Sequence, residues 1–388
     1  MRSRLAGYLM GTFFFWFSLY IYVPILPPYL RELGCSLSMI GIVLGSYGAI
    51  QFFLRIPLGF WADRKRILKP FVLIGVSFSG LSCLVFALFP SAWSFLGART
   101  LSGVAASFWV VCTVLFASYF PEERSGKAMG QLVFCMSWAQ LTCTLLGGWL
   151  AEHYGYGAPF WAGVIAALVS LLSFIWVREK QAEGRPSGLT LTEGFQVFAS
   201  PGLVMISLIT AVLMFNSFTT VHGFVPLLAV QLGANKTQLG ILVALTLAGH
   251  SVGSLFAGTK LLNWLPARSA VMTAFLFMSL ASLSLPLVPN VYVLYVNQVV
   301  SGLGRGLGYS VLMGLVFQTV STGERATAMG VFQSLYSLGM FSGPLLGGWV
   351  GTIWGISEIF IISGVITLLV IPVLRVVKID HHETCPPV

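Results

Sequence analysis

Residues 147–149 read Gly147-Gly148-Trp149, and the same triplet returns 200 positions later as Gly347-Gly348-Trp349. Outward from it, Ala128-Met129-Gly130 recurs as Ala328-Met329-Gly330 at that offset. Further upstream the offset becomes 199, pairing Ser102-Gly103 with Ser301-Gly302, Gly59 with Gly258, Gly41-Ile42 with Gly240-Ile241 and Leu33-Gly34 with Leu232-Gly233. Shared composition does not hold a register across half a chain, so the chain contains an internal duplication.

The duplicated unit is a membrane unit. Of 388 residues 57% are hydrophobic and 9% charged, with a mean hydropathy of +0.89, whereas a soluble domain carries roughly 25% charged residues. One spanning helix needs about 20 apolar residues. Apolar runs bounded by charged or Pro/Gly-rich breaks predict twelve spans over residues 5–29, 38–61, 70–89, 92–119, 128–152, 157–177, 202–230, 237–262, 269–288, 291–319, 327–351 and 355–377. Runs of this length exclude barrel strands, and in lipid only helices or a closed barrel satisfy the backbone. The predicted fold class is therefore an all-α membrane protein, with a six-helix bundle over 1–177, a polar linker over 178–201, a second six-helix bundle over 202–377 and a tail over 378–388. In internally repeated bundles, a site at the interface of the repeats can be opened alternately to each side.

The formal net charge of +9 follows position rather than a partner. Sixteen basic residues, among them Arg2, Arg64, Lys65, Arg66, Arg124, Lys127, Arg178, Arg325 and Lys378, fall in the amino terminus, the tail or every second loop, and only Arg31 and Lys236 fall in the others. This asymmetry predicts cytoplasmic termini and accounts for the basicity without nucleic acid. The first apolar run lacks a cleavage site and is expected to remain as a helix. Six cysteines show neither CxxC nor ligand spacing to a histidine, so they read as small apolar residues, and no cofactor or metal is implied. The five histidines form no H-x-x-x-D or H-E-x-x-H set, which argues against an enzyme.

Three motifs carry a resemblance. Gly59-Phe60-Trp61-Ala62-Asp63-Arg64-Lys65-Arg66, between the second and third runs, resembles the signature loop of the major facilitator superfamily, although Ile67 and Leu68 replace its distal part. Arg99-Thr100-Leu101-Ser102-Gly103 on the fourth resembles the second signature of that family. Gly339 to Gly348 on the eleventh resembles its G-x-x-x-G-P-x-x-G-G pattern. Drug and proton antiporters of the family place that last pattern on the fifth helix, where this chain has Cys143-Thr144-Leu145-Leu146-Gly147-Gly148 without the Gly-Pro pair. The resemblance covers essentially the whole chain. It implies alternating-access secondary transport, with Gly59, Asp63 and Arg64 as gating residues. Asp63 is expected to meet the start of the eleventh helix near Ala326 to Ala328 when the cavity faces outward; a basic turn needed only for topology is the alternative.

The candidate site follows from intramembrane charge. Arg305 lies fourteen residues after Val291 and fourteen before Thr319, at the midplane, where a cation is expensive and marks a functional site by default. Arg99 is the second such residue; the resemblance links it to proton coupling or substrate contact, and a structural arginine bonded to carbonyls is the other reading. None of the twelve acidic residues is predicted at mid-membrane, which argues against a carboxylate site for cations. Tyr20, Trp109 and Tyr309 lie on the first, fourth and tenth helices, which line the cavity in the family, and Asn216, His222 and Gln333 are expected as neutral contacts. His222 and His250 are proton-carrier candidates, with neutral interhelical hydrogen bonding the alternative. The leading expectation is export of a small amphipathic or anionic organic compound by a monomer in contact with membrane lipid, with protons as a candidate coupling ion and a bacterial plasma membrane as the location. The alternatives are proton-coupled uptake of an organic anion such as a carboxylate, and a receptor or scaffold with this fold.

Overall fold

A computed structural model describes residues 2–64, 67–120, 125–177, 179, 200–257, 266–319 and 325–376. Twelve helical segments run through it: α1 (Arg2–Tyr20, resuming as Leu26–Glu32), α2 (Leu37–Arg64), α3 (Lys69–Leu88), α4 (Ala92–Ser107 and Trp109–Ala117), α5 (Ser125–Tyr154) and α6 (Gly157–Trp176) in the first half. The second half contains α7 (Pro201–Thr219, a π-helical turn Thr220–Phe224, then Val225–Gln231), α8 (Lys236–Ala257), α9 (Ala267–Ser284), α10 (Val291–Gln318), α11 (Arg325–Ile353) and α12 (Ile356–Leu368 and Val370–Val376). Among the described residues, ten stretches are long and apolar enough to cross a membrane. The other two are α1, interrupted around Pro24, Pro27 and Pro28, and α11, which is long but rich in Gly and Ser.

Local chemistry sets the segment ends, and it does so twice. Pro27 and Pro226, 199 positions apart, each occupy the first turn of a resumed helix, where a missing N–H costs nothing. Ser91 and Asn290 cap α4 and α10 by accepting from Ser94 and Val293 amides. Ser36 likewise accepts from Met39, and its counterpart Asn235 forms a reciprocal capping box with Gln238 at 2.8 and 2.9 Å. All four positive-φ glycines among the described residues, Gly34 with Gly233 and Gly155 with Gly355, are repeat partners closing helices.

Packing follows the same symmetry. α2 lies along α4 and α11, and correspondingly α8 lies along α10 and α5. A Cβ on Gly348 would meet the Leu37 carbonyl and Gly41 of α2, and one on Gly148 would meet the Lys236 carbonyl and Gly240 of α8. The two crossings join opposite halves and exchange under the repeat, as a pseudo-two-fold axis requires. Of the linker only Glu179, Ser200 and Pro201 are described. The Glu179 carboxylate accepts from the Leu68 and Lys69 amides at the start of α3, which ties the end of α6 to the face carrying both termini.

Candidate functional site

The centre of the molecule holds three buried arginines from three helices: Arg55 on α2, Arg99 on α4 and Arg305 on α10. None of the four acidic residues with described side chains, Glu32, Glu152, Glu179 and Glu358, is buried. Each guanidinium stays ionised, so the charge is met by π-faces, hydroxyls and carbonyls.

Arg99 is positioned by a close approach of α4 to α2. Gly103 lies against the Tyr47 carbonyl, and a side chain there would also strike Ile50. One turn away, the Arg99 guanidinium lies 4.1 Å from the centre of the Tyr47 ring and donates from Nη1 to the Tyr22 hydroxyl at 3.4 Å. Tyr22 is held by Ser102 at 2.8 Å, and Ser102 by Ser82 at 2.7 Å. Arg99 is thus aimed by a hydroxyl network, while its Nε is buried without a partner.

Arg305 is positioned by glycines. At about 100° per residue, Gly302 and Gly306 share one face of α10 and Gly304 and Gly308 another. The first pair takes the Thr246 and His250 carbonyls of α8, and the second lies against Ala274 of α9. The alternating glycines therefore serve close packing on two sides, and α10 runs unbroken through them. Arg305 projects between the two faces, with its Nη2 buried and unpartnered. Tyr20, His222 and His250 all lie within its electrostatic reach, and His222 also lies within that of Arg99.

Arg55 is the functional candidate that sequence reasoning missed. It lies inside the second apolar run, and the signal that could have found it is the one applied to Arg305, a cation away from any loop. Its Nη1 donates to the Gln333 carbonyl of α11 at 3.1 Å and the guanidinium sits 5.2 Å from the Tyr336 ring centre, so it crosses between the halves. Tyr47 lies within the electrostatic reach of both Arg55 and Arg99, which places Arg55 in the same cluster.

Rings connect the helices around these charges. Trp109 meets Trp16 edge to face at 5.1 Å, Trp16 leans on Tyr20 at 5.6 Å, and Tyr20 meets His222 of α7 at 6.1 Å. On the other side Tyr309 lies 6.4 Å from His250 and 6.3 Å from Tyr336. His222 sits in the π-helical turn of α7, a wide turn of the kind found at functional sites, with its Nδ1 unpartnered, as is Nδ1 of His250. Gln333 contributes its carbonyl to Arg55, and its Oε1 is buried and unpartnered.

Asn216 has partners of its own. The Asn216 amide donates to Ser282 of α9 at 2.8 Å and to Ser363 and Thr367 of α12 at 3.1 and 3.0 Å. That nitrogen is committed within the second bundle, where α9 and α12 offer three hydroxyls, while the Asn216 Oδ1 is buried without a partner. Gly59, expected at the gate, approaches Gly330 of α11 with 4.0 Å from its Cβ position to that Cα. The side chains of Asp63, Arg64 and Ala326, the repeat residues Gly258 to Asn263 and the tail 378–388 lie outside the described residues.

A duplicated twelve-helix bundle with intramembrane charge at the interface of its halves defines a class, the internally repeated transporter. The family model of the Major Facilitator Superfamily matches residues 8–227 and again 206–385, and the chain belongs to that superfamily. It is 24% identical over 364 residues to an uncharacterized MFS-type transporter, MJ1560, of Methanocaldococcus jannaschii, spanning 89% of this chain and 91% of the relative. It is also 24% identical over 380 residues to the multidrug resistance protein MdtG of Escherichia fergusonii, spanning 95% and 92%. Among solved structures, it matches an inward-facing, unoccupied bacterial homologue of the human lysosomal transporter Spinster with a TM-score of 0.78 at 17% identity, over 96% of this chain and 95% of that one. The human organic anion transporter MFSD10 (TETRAN) matches with a TM-score of 0.70 at 18% identity, over 96% and 99%.

Proposed function

We propose that this secondary transporter exports small organic anions or amphipathic compounds carrying an anionic group. The observation that carries the reading is the buried cluster of guanidiniums with unpartnered N–H groups and no carboxylate among the described core residues. A buried cation costs at least roughly 2.5 kcal/mol in the membrane, so a ligand that supplies its counter-charge is strongly favoured there. Arg305 and Arg99 receive the anionic group. Tyr20, Trp109 and Tyr309 hold the organic body, and His222 and Gln333 add neutral hydrogen bonds. Export is supported by the likeness to relatives named for multidrug resistance. The basic loops put both termini in the cytoplasm, and on that side Asp63 is expected to latch the start of α11, near Ala326 to Ala328, when the cavity faces outward. Asp63→Asn should slow transport while leaving the protein folded, and wild-type rates in that variant would count against the latch.

The direct test is a thermal-shift screen of the purified protein against organic anions, amphipathic cations and sugars, followed by counterflow of the hits in proteoliposomes. Stabilisation and counterflow by anions support the reading; a transported cation ends it. The unpartnered ring nitrogens of His222 and His250 support one second reading, proton-coupled uptake of an organic anion. It predicts that an imposed pH gradient drives accumulation of the anion in right-side-out vesicles.

A further inference from the structure

The number of arginines says more than their presence. Arg55, Arg99 and Arg305 enter from three helices and are linked through rings: Arg55 lies 5.2 Å from the Tyr336 ring centre, and Tyr336 lies 6.3 Å from Tyr309, one turn from Arg305 on α10. Arg99 lies 4.1 Å from the centre of the Tyr47 ring, the Tyr47 and Tyr20 hydroxyls interact, and Arg305 and Arg55 lie within reach of Tyr20 and Tyr47 respectively. Each arginine keeps at least one buried N–H without a partner: Nε of Arg55, Nε of Arg99 and Nη2 of Arg305. The partners they do have are neutral. Arg55 uses one donor on the Gln333 carbonyl and its face on Tyr336, and Arg99 one donor on a hydroxyl and its face on Tyr47. A π-face or a carbonyl dipole eases burial of a cation without neutralising it. A singly charged ligand would leave two of the three charges uncompensated in a low dielectric, and a doubly charged one leaves a single charge.

We propose that the site selects organic dianions, a head carrying two negative charges on a flat apolar body, and that Arg55 is the third anion-binding residue and the one that separates dianions from monoanions. This rests on the anion reading above. The flat body would pack on rings near the charges: Trp16 contacts both Tyr20 and Trp109, and Tyr309 lies 6.3 Å from Tyr336. Arg55 reaches across the halves to α11 and its donor to Gln333 is the exchangeable one, so a second anionic group can take the place of that carbonyl and keep the halves tied through the ligand.

The test uses the purified full-length protein with three probes sharing one ring: benzoate as the monoanion, and phthalate and phenyl phosphate as dianions, at pH 8 and fixed ionic strength. Phenyl phosphate is doubly ionised there because its second pKa is about 6. Phthalate and phenyl phosphate are expected to bind at least about 10-fold tighter than benzoate, as one further charge-assisted contact implies. In Arg55→Gln the dianions should lose more affinity than benzoate does, so that their roughly 10-fold advantage over benzoate falls toward one. If Arg55→Gln does not fold, Arg55→Lys keeps the charge but loses the planar fork, and should lower dianion affinity selectively. Equal binding of all three probes to the wild type overturns the dianion proposal and leaves the anion reading standing. A dianion preference that survives unchanged in the Arg55 variants overturns the role given to Arg55 and removes it from the site. Preference for benzylamine over every anion overturns both.

Discussion

The two halves share a framework and differ in their chemistry. Pro27 and Pro226, Ser91 and Asn290, Gly34 and Gly233, and Gly148 and Gly348 do the same work at equivalent places. The charged residues do not repeat: the position equivalent to Arg99 is Gln298, that of Arg305 is Ala106 and that of Arg55 is Ser254. Helix packing in lipid depends on small residues that let backbones approach, and both copies need that equally. A ligand without two-fold symmetry needs different groups from each side. Symmetry in the frame therefore suits the movement of one half against the other, and asymmetry at the centre is what the proposed recognition of an anion requires.

The largest effect should come from breaking the frame at a matched pair. Gly148→Val and Gly348→Val each drive a side chain into a backbone of the other half, and overpacking of this kind costs about 1–3 kcal/mol. Both variants should lower the thermal midpoint or the folded yield by similar amounts. A large effect in one and none in the other would show that the two crossings are not mechanically equivalent.

The centre should show the opposite behaviour. Arg305→Ala is expected to lower anion affinity at least about 10-fold, and Arg305→Lys more than its unchanged charge suggests, because the planar fork is lost. Ala106→Arg, at the equivalent place in the first half, should not restore it. Unchanged affinity in Arg305→Ala, read by titration of the purified protein, would remove this residue from recognition.

Much of the fold was legible because the duplication, the apolar runs and the basic loops each leave a one-dimensional trace. The glycines around Arg305 are visible in the sequence and permit either a kink or close packing, but which helix each pair receives depends on three-dimensional neighbours, and α8 and α9 lie about 30 to 60 residues away in sequence. Arg99 and Arg305 were found because a charge inside an apolar run has few explanations. Arg55 satisfied the same test and was passed over because it lies near the basic loop that follows Gly59. The partners of Asn216 were not legible, because periodicity gives the face of a helix only relative to its own axis, and the hydroxyls of Ser282, Ser363 and Thr367 that take its amide nitrogen come from two other helices. Accordingly, Asn216→Ala should destabilise the second bundle by about 1–2 kcal/mol and leave anion affinity unchanged. Reduced affinity without reduced stability would return Asn216 to the site.

The smallest expected effect separates two contacts that are matched in place but not in charge. At the face opposite the termini, Thr352 at the end of α11 accepts from the Ser38 amide at the start of α2 at 2.9 Å, and its repeat partner Glu152 at the end of α5 accepts from the Lys236 amide at the start of α8 at 2.8 Å. Each tie joins the halves by capping an orphan amide of the other half's helix. The Glu152 tie has charged company: the Lys236 ammonium lies 3.9 Å from the Tyr156 ring centre, and the Tyr156 hydroxyl donates to Glu32 at 2.7 Å. Burial, and then that bond to Glu32, hold the Tyr156 hydroxyl well above its ordinary pKa, so it remains a donor at physiological pH. A carboxylate at a helix amino terminus gains about 0.3–1 kcal/mol over a neutral acceptor. Glu152→Gln keeps an acceptor and loses only that increment, so it should shift the equilibrium toward opening of this face by a few-fold at most. Thr352→Val removes its acceptor altogether and should shift it by a comparable or larger factor. Labelling rates of single cysteines placed behind this face measure both shifts. If Glu152→Gln opens it more than Thr352→Val does, the charge on Glu152 rather than its hydrogen bond holds the halves together here.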